Sequence, residues 1–433
     1  MAETQGFSVA AQVPPSTGVL DLLRLCVQVV REVLGRPWDF SLETALRRWA
    51  RRTSARLASE NLVLNLGVRK LLLVGSRELS RAILAEAPAI SGLSAGSLKR
   101  SAVGFLATRA LTISDDEDWR RRRAFNEGVL EPDRSHELAP TFIRCTLEAF
   151  ASPVSSVTEL RAAMGRTMLA VVFGGKAPAQ LVADIEKLFG LVQSPLKRAL
   201  TAPCAHRLRA RFYRTLRARW SEESALAEPS LLLMAYRKGA ALDGTELIEQ
   251  IPHWMFTFTG SATELLVRTL ALISSAPVIR ARVLAELRAA GPLDGACDFA
   301  ATPLLEACCI EAAHLYPPVT RTFHRAARDM NLAGVRIPPD MEIVHLFPLF
   351  TSSEPGRFDP DRWMQGAVPG SSFDPFLGGA RRCPGRTLIL LVCEAALASL
   401  LVRQQLVLES SRLGSPLPQA FPRRGLRFRR EPC

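Results

Sequence analysis

The stretch Phe373-Asp-Pro-Phe376-Leu-Gly-Gly379-Ala-Arg381-Arg-Cys383-Pro-Gly385 carries the most chemistry in the chain. One cysteine stands on a glycine-rich loop just before the apolar run Leu388–Val402, which reads as a core helix although it holds Glu394. Free N–H groups and the dipole at a helix N-terminus favour the thiolate form of such a cysteine. Gly379 and Gly385 let the backbone approach a flat ligand, Phe376 can pack against it, and Arg381 can pair with an anionic group. The other cysteines lack this setting. The nine are irregularly spaced with no Cys-x-x-Cys pair, so free thiols in a reducing compartment are expected rather than a disulfide framework. Cys308 and Cys309, adjacent in an apolar helical pattern, read as buried small residues.

The spacing Phe376-x-x-Gly379-x-Arg381-x-Cys383-x-Gly385 resembles the haem-binding signature of the cytochrome P450 family at each of its defining positions. The resemblance implies a mainly α fold with small β-sheets, the helical prism of that family. Haem b (iron protoporphyrin IX) would lie between a long central helix and the helix after the cysteine loop. Cys383 would be the axial iron ligand, with Phe376, Gly379, Arg381 and Gly385 around the cofactor. An axial thiolate pushes electron density toward iron and favours O–O cleavage.

Companion motifs follow in the family's order. In the apolar helix expected over Thr245–Leu272, Thr259-Gly260-Ser261-Ala262-Thr263 resembles the family's oxygen-binding kink, where Gly260 opens the helix and Thr263 passes protons. The acid usually before that threonine is replaced by Ala262, and Glu264 follows on another helical face. Glu311-Ala-Ala-His314 stands where the family carries Glu-x-x-Arg, and Arg362 of Phe358-Asp-Pro-Asp-Arg362-Trp363 matches its later partner. Residues i and i+3 share a helix face, so Glu311 and His314 can hold one partner together. His offers fewer donors than Arg, and charge only at mild acidity, which makes a weaker brace. For the haem carboxylates, Trp119 and Arg123 match the family's Trp-x-x-x-Arg, and His324 falls on its usual Arg position with Arg321 and Arg325 beside it.

Around these motifs the chain reads as two β-rich runs over Leu62–Val74, hairpin-like about Gly67, and then a helix capped by Ser76. A capping box of Ser114 and Glu117 opens a helix, helical periodicity dominates Glu137–Leu216, and a further helix starts at Thr302-Pro303 and ends before Pro317. The organisation expected is one haem domain over residues 1–433, with residues 1–36 an N-terminal extension and amphipathic helix. That helix, Leu20–Leu34, is too short and too charged to span a bilayer, and Met1–Gly18 lacks the pattern of a signal peptide. A cytoplasmic monomer without a transmembrane segment is expected.

At 48% hydrophobic the chain can bury a large core. Its net charge of +13 favours anionic partners, but the Arg residues are scattered, without the basic stripe of a nucleic-acid binder. The basic surplus suits an acidic ferredoxin or flavin reductase as electron donor, since no flavin or iron–sulfur segment is present in the chain. The reading is a haem-thiolate monooxygenase that inserts one oxygen atom from O2 into a lipophilic small molecule. Met255, Phe256, Phe258, Thr259 and Val319–Thr322 are expected to line an apolar pocket. Two alternatives stand beside it: peroxygenase or isomerase chemistry without a redox partner, motivated by Ala262, and a degenerate haem-binding protein, motivated by His314 and His324.

Overall fold

The computed structural model describes residues 13–21, 23–27, 42–66, 69–86, 93–133, 135–175, 180–193, 195–221, 228–239, 242–294, 297–347, 356–364, 374–409, 413–414, 416–418, 421–422 and 426–431. Gly67, Phe373 and the later part of the N-terminal helix read from the sequence lie outside the described residues. The chain divides into two compact units, one of residues 1–99, 320–350 and 377–382, the other of residues 100–319, 351–376 and 383–433.

The first unit holds the helices α1 (Leu42–Leu57) and α2 (Arg77–Ala85) and the strands β1 (Leu62–Asn65), β2 (Lys70–Val74), β3 (Leu93–Ala95), β4 (Arg321–Ala326), β5 (Met330–Leu332), β6 (Val335–Ile337) and β7 (Glu342–Leu346). Five strands form one sheet in the order β1-β2-β7-β4-β3, and β5 pairs with β6 as a separate hairpin. The expected hairpin is present, with Leu62 opposite Leu73 and Asn65 opposite Lys70. Ser76 caps α2 by accepting from the Leu79 N–H at 3.2 Å. Side chains alternate across a strand, so one sheet face gathers Leu62, Leu73, Val344 and Leu346 with Trp49 and Ala50 of α1 in a small core. His324 pairs with Ile343 and Thr322 with His345, which puts both histidines on the opposite face.

The second unit is mainly helical: α3 (Asp116–Leu130), α4 (Ala139–Ala149), α5 (Val157–Phe173), α6 (Gln180–Gln193), α7 (Ala202–Ser221), α8 (Gly244–Thr257), α9 (Thr263–Ser275), α10 (Pro277–Ala289), α11 (Pro303–Leu315) and α12 (Arg386–Ala398), with a short ladder of β8 (Leu406–Leu408) and β9 (Phe428–Arg430). Local chemistry sets several ends. Capping boxes of Ser156 with Glu159 and Asp243 with Glu246 open α5 and α8, and Pro303 occupies the first turn of α11. Met168, Leu266, Leu270, Cys393 and Leu397 are fully buried and join α5, α9 and α12 in one apolar core. No single helix among the described residues is long and apolar enough to cross a membrane.

The central helix read over Thr245–Leu272 is interrupted at Gly260, where the kink was expected. Between α8 and α9, Phe258–Ala262 forms a wider π turn, and the Thr263 hydroxyl donates to the Phe258 carbonyl at 3.0 Å. The expected box of Ser114 and Glu117 does not form. The Ser114 hydroxyl donates to the Ala110 carbonyl and accepts from Arg122, whose buried guanidinium also pairs with Glu246 at 2.5 Å. Satisfying that buried ion pair takes precedence over capping. The Trp254 indole donates to Asn126 at 2.8 Å, so α3 is pinned along α8 by two residues one turn apart.

Glu394 stands inside α12 at 4% exposure. Burial pushes its carboxyl well above the usual range, Glu306 and Glu286 add to this, and Arg386 opposes it. A folded pKa above the unfolded value of about 4.3 gives a contribution to stability that is complete below that value and is lost as pH rises toward the folded pKa. Glu394→Gln keeps the shape without the charge. Its stability relative to the parent chain should therefore grow between about pH 5 and about pH 8 in denaturant titrations. A difference constant across that range would contradict the buried neutral acid.

Candidate active site

Cys383 sits at the mouth of α12. Its N–H donates to the Phe376 carbonyl at 2.8 Å, while the Phe376 N–H donates to Asp374 at 2.8 Å, so a compact turn fixes the sulfur. The residue keeps some accessible surface, yet the thiol lies deep, and burial pushes its pKa up. The Gly385 N–H and the charges of Arg123 and Arg386 pull the other way, and Asp374 adds to the rise. This corrects the expectation that the loop by itself favours thiolate: desolvation outweighs the helix terminus, and full ionisation requires a cation on the sulfur.

The residues near Cys383 arrive from several elements of its unit. Arg123 of α3, next to Arg122, is 9% exposed, with its guanidinium paired to Glu127 at 2.8 Å. Trp119, one turn earlier, is half-buried. Gly385 faces Leu130 of α3 at a distance that leaves room for a Cβ. The Arg386 guanidinium lies 5.6 Å from the centre of the Phe376 ring and pairs with Glu306 at 3.2 Å. Arg386 was not singled out from the sequence, although its place on the first turn after Gly385 is a usable signal.

Gly379 meets protein backbone as well. It adopts φ +62°, and a Cβ there would come within 2.8 Å of the Ala85 Cα at the end of α2. The missing side chain therefore admits protein backbone as well as a left-handed turn. Arg381 donates to the carbonyls of Glu86 at 3.0 Å and Leu93 at 2.9 Å, and burial lowers its pKa to about 10. Its remaining donors are the ones left for an anion. Of the three candidates after Pro317, Arg325 pairs with Asp340 on the surface and Arg321 is exposed, while His324 is 3% exposed and turned inward.

On the central helix Thr263 is fully buried, and its hydroxyl proton is committed to Phe258, which leaves the oxygen lone pairs to accept. Gly260 is covered by rings: a Cβ would meet Phe256 at 3.2 Å and Phe189 at 3.7 Å, and those two rings lie 4.1 Å apart. Phe256 keeps accessible surface, whereas Met255, Phe258 and Thr259 are packed into the core at 3% exposure or less. The helix therefore offers one face, Phe256 and Gly260, instead of the four residues expected. Val319 is exposed and Thr320–Thr322 keep surface. Glu264 does point elsewhere, pairing with Arg268 at 2.8 Å and Arg161 at 3.6 Å.

Glu311 on α11 is fully buried, with burial raising its pKa against the pull of Arg362. One carboxylate oxygen accepts from Arg362 at 2.6 and 2.7 Å and from the Trp363 indole at 2.6 Å, while the other accepts from the Asp359 N–H at 3.1 Å. Trp363, overlooked in the sequence, thus supplies a donor for the carboxylate. His314 is buried with its ring edge-on to Trp363, centroids 5.4 Å apart. It supports the brace by packing on the indole.

A flat iron-bearing macrocycle suits this donor set: one sulfur held by an N–H and facing cations, with an aromatic ring beside it. Among the described residues no group of three or more His, Cys, Asp or Glu gathers to hold a bare metal ion. Residues 182–420, over half the chain, match the family model described as Cytochrome P450. Pentalenene oxygenase of Streptomyces avermitilis is 26% identical over 347 residues, spanning 70% of this chain and 75% of its own length. The cytochrome P450 monooxygenase sphH of Aspergillus fumigatus is 30% identical over 217 residues, but that match covers only 44% of this chain and 38% of the relative. The fold is similar to a six-coordinated cytochrome P450 from Thermus thermophilus, with TM-score 0.70, 20% identity, and coverage of 90% of this chain and 98% of the other. It is also similar to the retinoic acid-bound cyanobacterial CYP120A1, with TM-score 0.70 and 17% identity, covering 97% and 99%. The chain belongs to the cytochrome P450 family, the haem-thiolate monooxygenases, and haem is its cofactor.

Proposed function

We propose that this protein inserts one oxygen atom from O2 into an apolar small molecule, with electrons delivered by a separate acidic ferredoxin or flavin reductase, as a monomer in the cytoplasm. The observation that carries the reading is the buried Cys383 sulfur, held by the Gly385 N–H and faced by Arg123 and Arg386. Haem bound there would supply the iron for O2 chemistry, with Cys383 as the residue that holds it. In this reading Arg123 would take a haem carboxylate, Phe376 would pack on the ring, and Arg381 and His324 would act as further carboxylate partners.

Thr263 holds a proton at Oγ1 within the π turn, and its lone pairs can accept another. With Ala262 in the acid position and Glu264 engaged by two arginines, resupply of that proton falls to solvent along the half-open Phe256–Gly260 face. This same feature favours, as a second reading, turnover with peroxide and no electron donor, since a peroxide already carries its protons. Phe256 and Phe189 make the substrate-facing surface of the helix aromatic, which supports a lipophilic substrate.

Cys383→Ser should abolish the strongly red-shifted Soret band of the ferrous carbon-monoxide complex, and a band retained in the variant would sink the assignment. Thr263→Ala should leave substrate-induced spectral changes in place while diverting reducing equivalents to peroxide, lowering the coupling of product to electrons by roughly a hundred-fold, the lower end of the range for a lost general acid–base group. Unchanged coupling would show that another group holds the proton. Reduction by an acidic ferredoxin should slow as ionic strength rises from about 0.05 to about 0.5 M. A rate indifferent to salt would contradict an acidic donor.

A further inference from the structure

The N-terminal helix, described at residues 19–21 and 23–27, turns an apolar face to water. Val19 is 74% exposed, Leu20 68%, Leu23 55% and Val27 57%. Residues four apart share a helix face, so Val19, Leu23 and Val27 form one stripe with Leu20 at its edge. Exposed apolar residues scattered singly are ordinary, but four on one face make a patch of the kind that meets a partner or a lipid surface.

The helix is fastened by its other side. The Trp49 indole of α1 donates to the Asp21 carbonyl at 2.8 Å, and the Asp21 carboxylate accepts from Arg56 at 2.5 Å and from Arg24 at 3.0 Å. The segment before it joins the sheet: the Thr17 N–H donates to the Val63 carbonyl at 2.8 Å, and the Val63 N–H to the Pro15 carbonyl at 2.9 Å. Leu25 packs on the small core of Trp49 and Leu62. The sheet unit thus holds the apolar stripe outward in a fixed orientation.

Charge selects what covers it. Arg24 of this helix and Arg51, Arg52 and Arg56 of α1 are exposed, and α1 carries five arginines against one glutamate. Asp21, the acid that meets two of them, is buried. A second copy of the chain would bring two such arginine sets together, and like charges oppose that. An anionic lipid surface takes the apolar side chains among its acyl chains and the guanidiniums among its phosphates. A helix too short and too charged to span a bilayer lies along its surface. We propose that the N-terminal helix and α1 dock this protein reversibly on anionic lipid, with Val19, Leu20, Leu23 and Val27 entering the boundary between headgroups and acyl chains. The docking is independent of the chemistry proposed for Cys383.

The test is co-sedimentation of the full-length haem-loaded protein with vesicles of phosphatidylcholine, alone or with about one-third phosphatidylserine. The parent should bind the mixed vesicles roughly ten-fold more tightly than the neutral ones, and binding should fall as salt rises from about 0.05 to about 0.5 M. Leu20→Ser/Leu23→Ser should weaken that binding roughly ten-fold with thermal melting unchanged, because both side chains are exposed. Arg51→Gln/Arg52→Gln should weaken it roughly five-fold for each guanidinium removed. Val278→Ser, which removes a lone exposed apolar side chain from α10, should bind as the parent does. Equal binding by the parent and Leu20→Ser/Leu23→Ser, or binding indifferent to phosphatidylserine, would overturn the proposal. So would a parent that stays in solution with both vesicles. A dimer dissociated by Leu23→Ser would then assign the stripe to a second copy, and a loss of ferredoxin affinity in that variant would assign it to the electron donor.

Discussion

Taking a sulfur anion out of water is costly unless a cation meets it, and that constraint organises the chemistry of the larger unit. Cys383 lies deep enough that burial raises its thiol pKa despite an N–H from Gly385 and two guanidiniums nearby. What the fold supplies is thus not a free thiolate but a sulfur ready for iron. The metal provides the missing positive charge, and the protein provides the position, the donors and the exclusion of water.

That position is maintained from two sides. On one, α3 is tied to α8 through Arg122 to Glu246 and Asn126 to Trp254, and the neighbouring Arg123 acts on the sulfur. On the other, the Glu311 carboxylate gathers Arg362, the Trp363 indole and the Asp359 N–H, tying α11 to the segment before the cysteine loop. A buried carboxylate with this many donors loses far more when one partner is removed than any single contact suggests. The His314 ring on Trp363 fits such a brace, because the indole needs a packing surface as well as an acceptor.

Much of this was legible in the residues. Helix starts marked by Ser76 and Pro303 form as local rules predict, because each is a matter of a few neighbouring backbone groups. The cysteine loop could be read because its spacing encodes a turn and a helix start within one short stretch. Features that depend on distant partners were harder to see. Ser114 was claimed by Arg122, Gly379 by the backbone at the end of α2, and Met255 and Phe258 by the core. Helical periodicity alone gave no hint of the π turn at Phe258–Ala262, which rotates the helix face that follows; the small-residue motif around Gly260 did.

The central claim is that iron in this protein is bound by one cysteine sulfur. X-ray absorption at the iron edge of the haem-loaded full-length protein tests it most directly, since sulfur and nitrogen scatterers lie at distinct distances from the metal. The account predicts one sulfur bonded to iron together with the four porphyrin nitrogens, and the loss of that sulfur signal in Cys383→Ser alone among the cysteine variants. Scattering from nitrogen and oxygen only, or a sulfur signal that survives in Cys383→Ser, would contradict it.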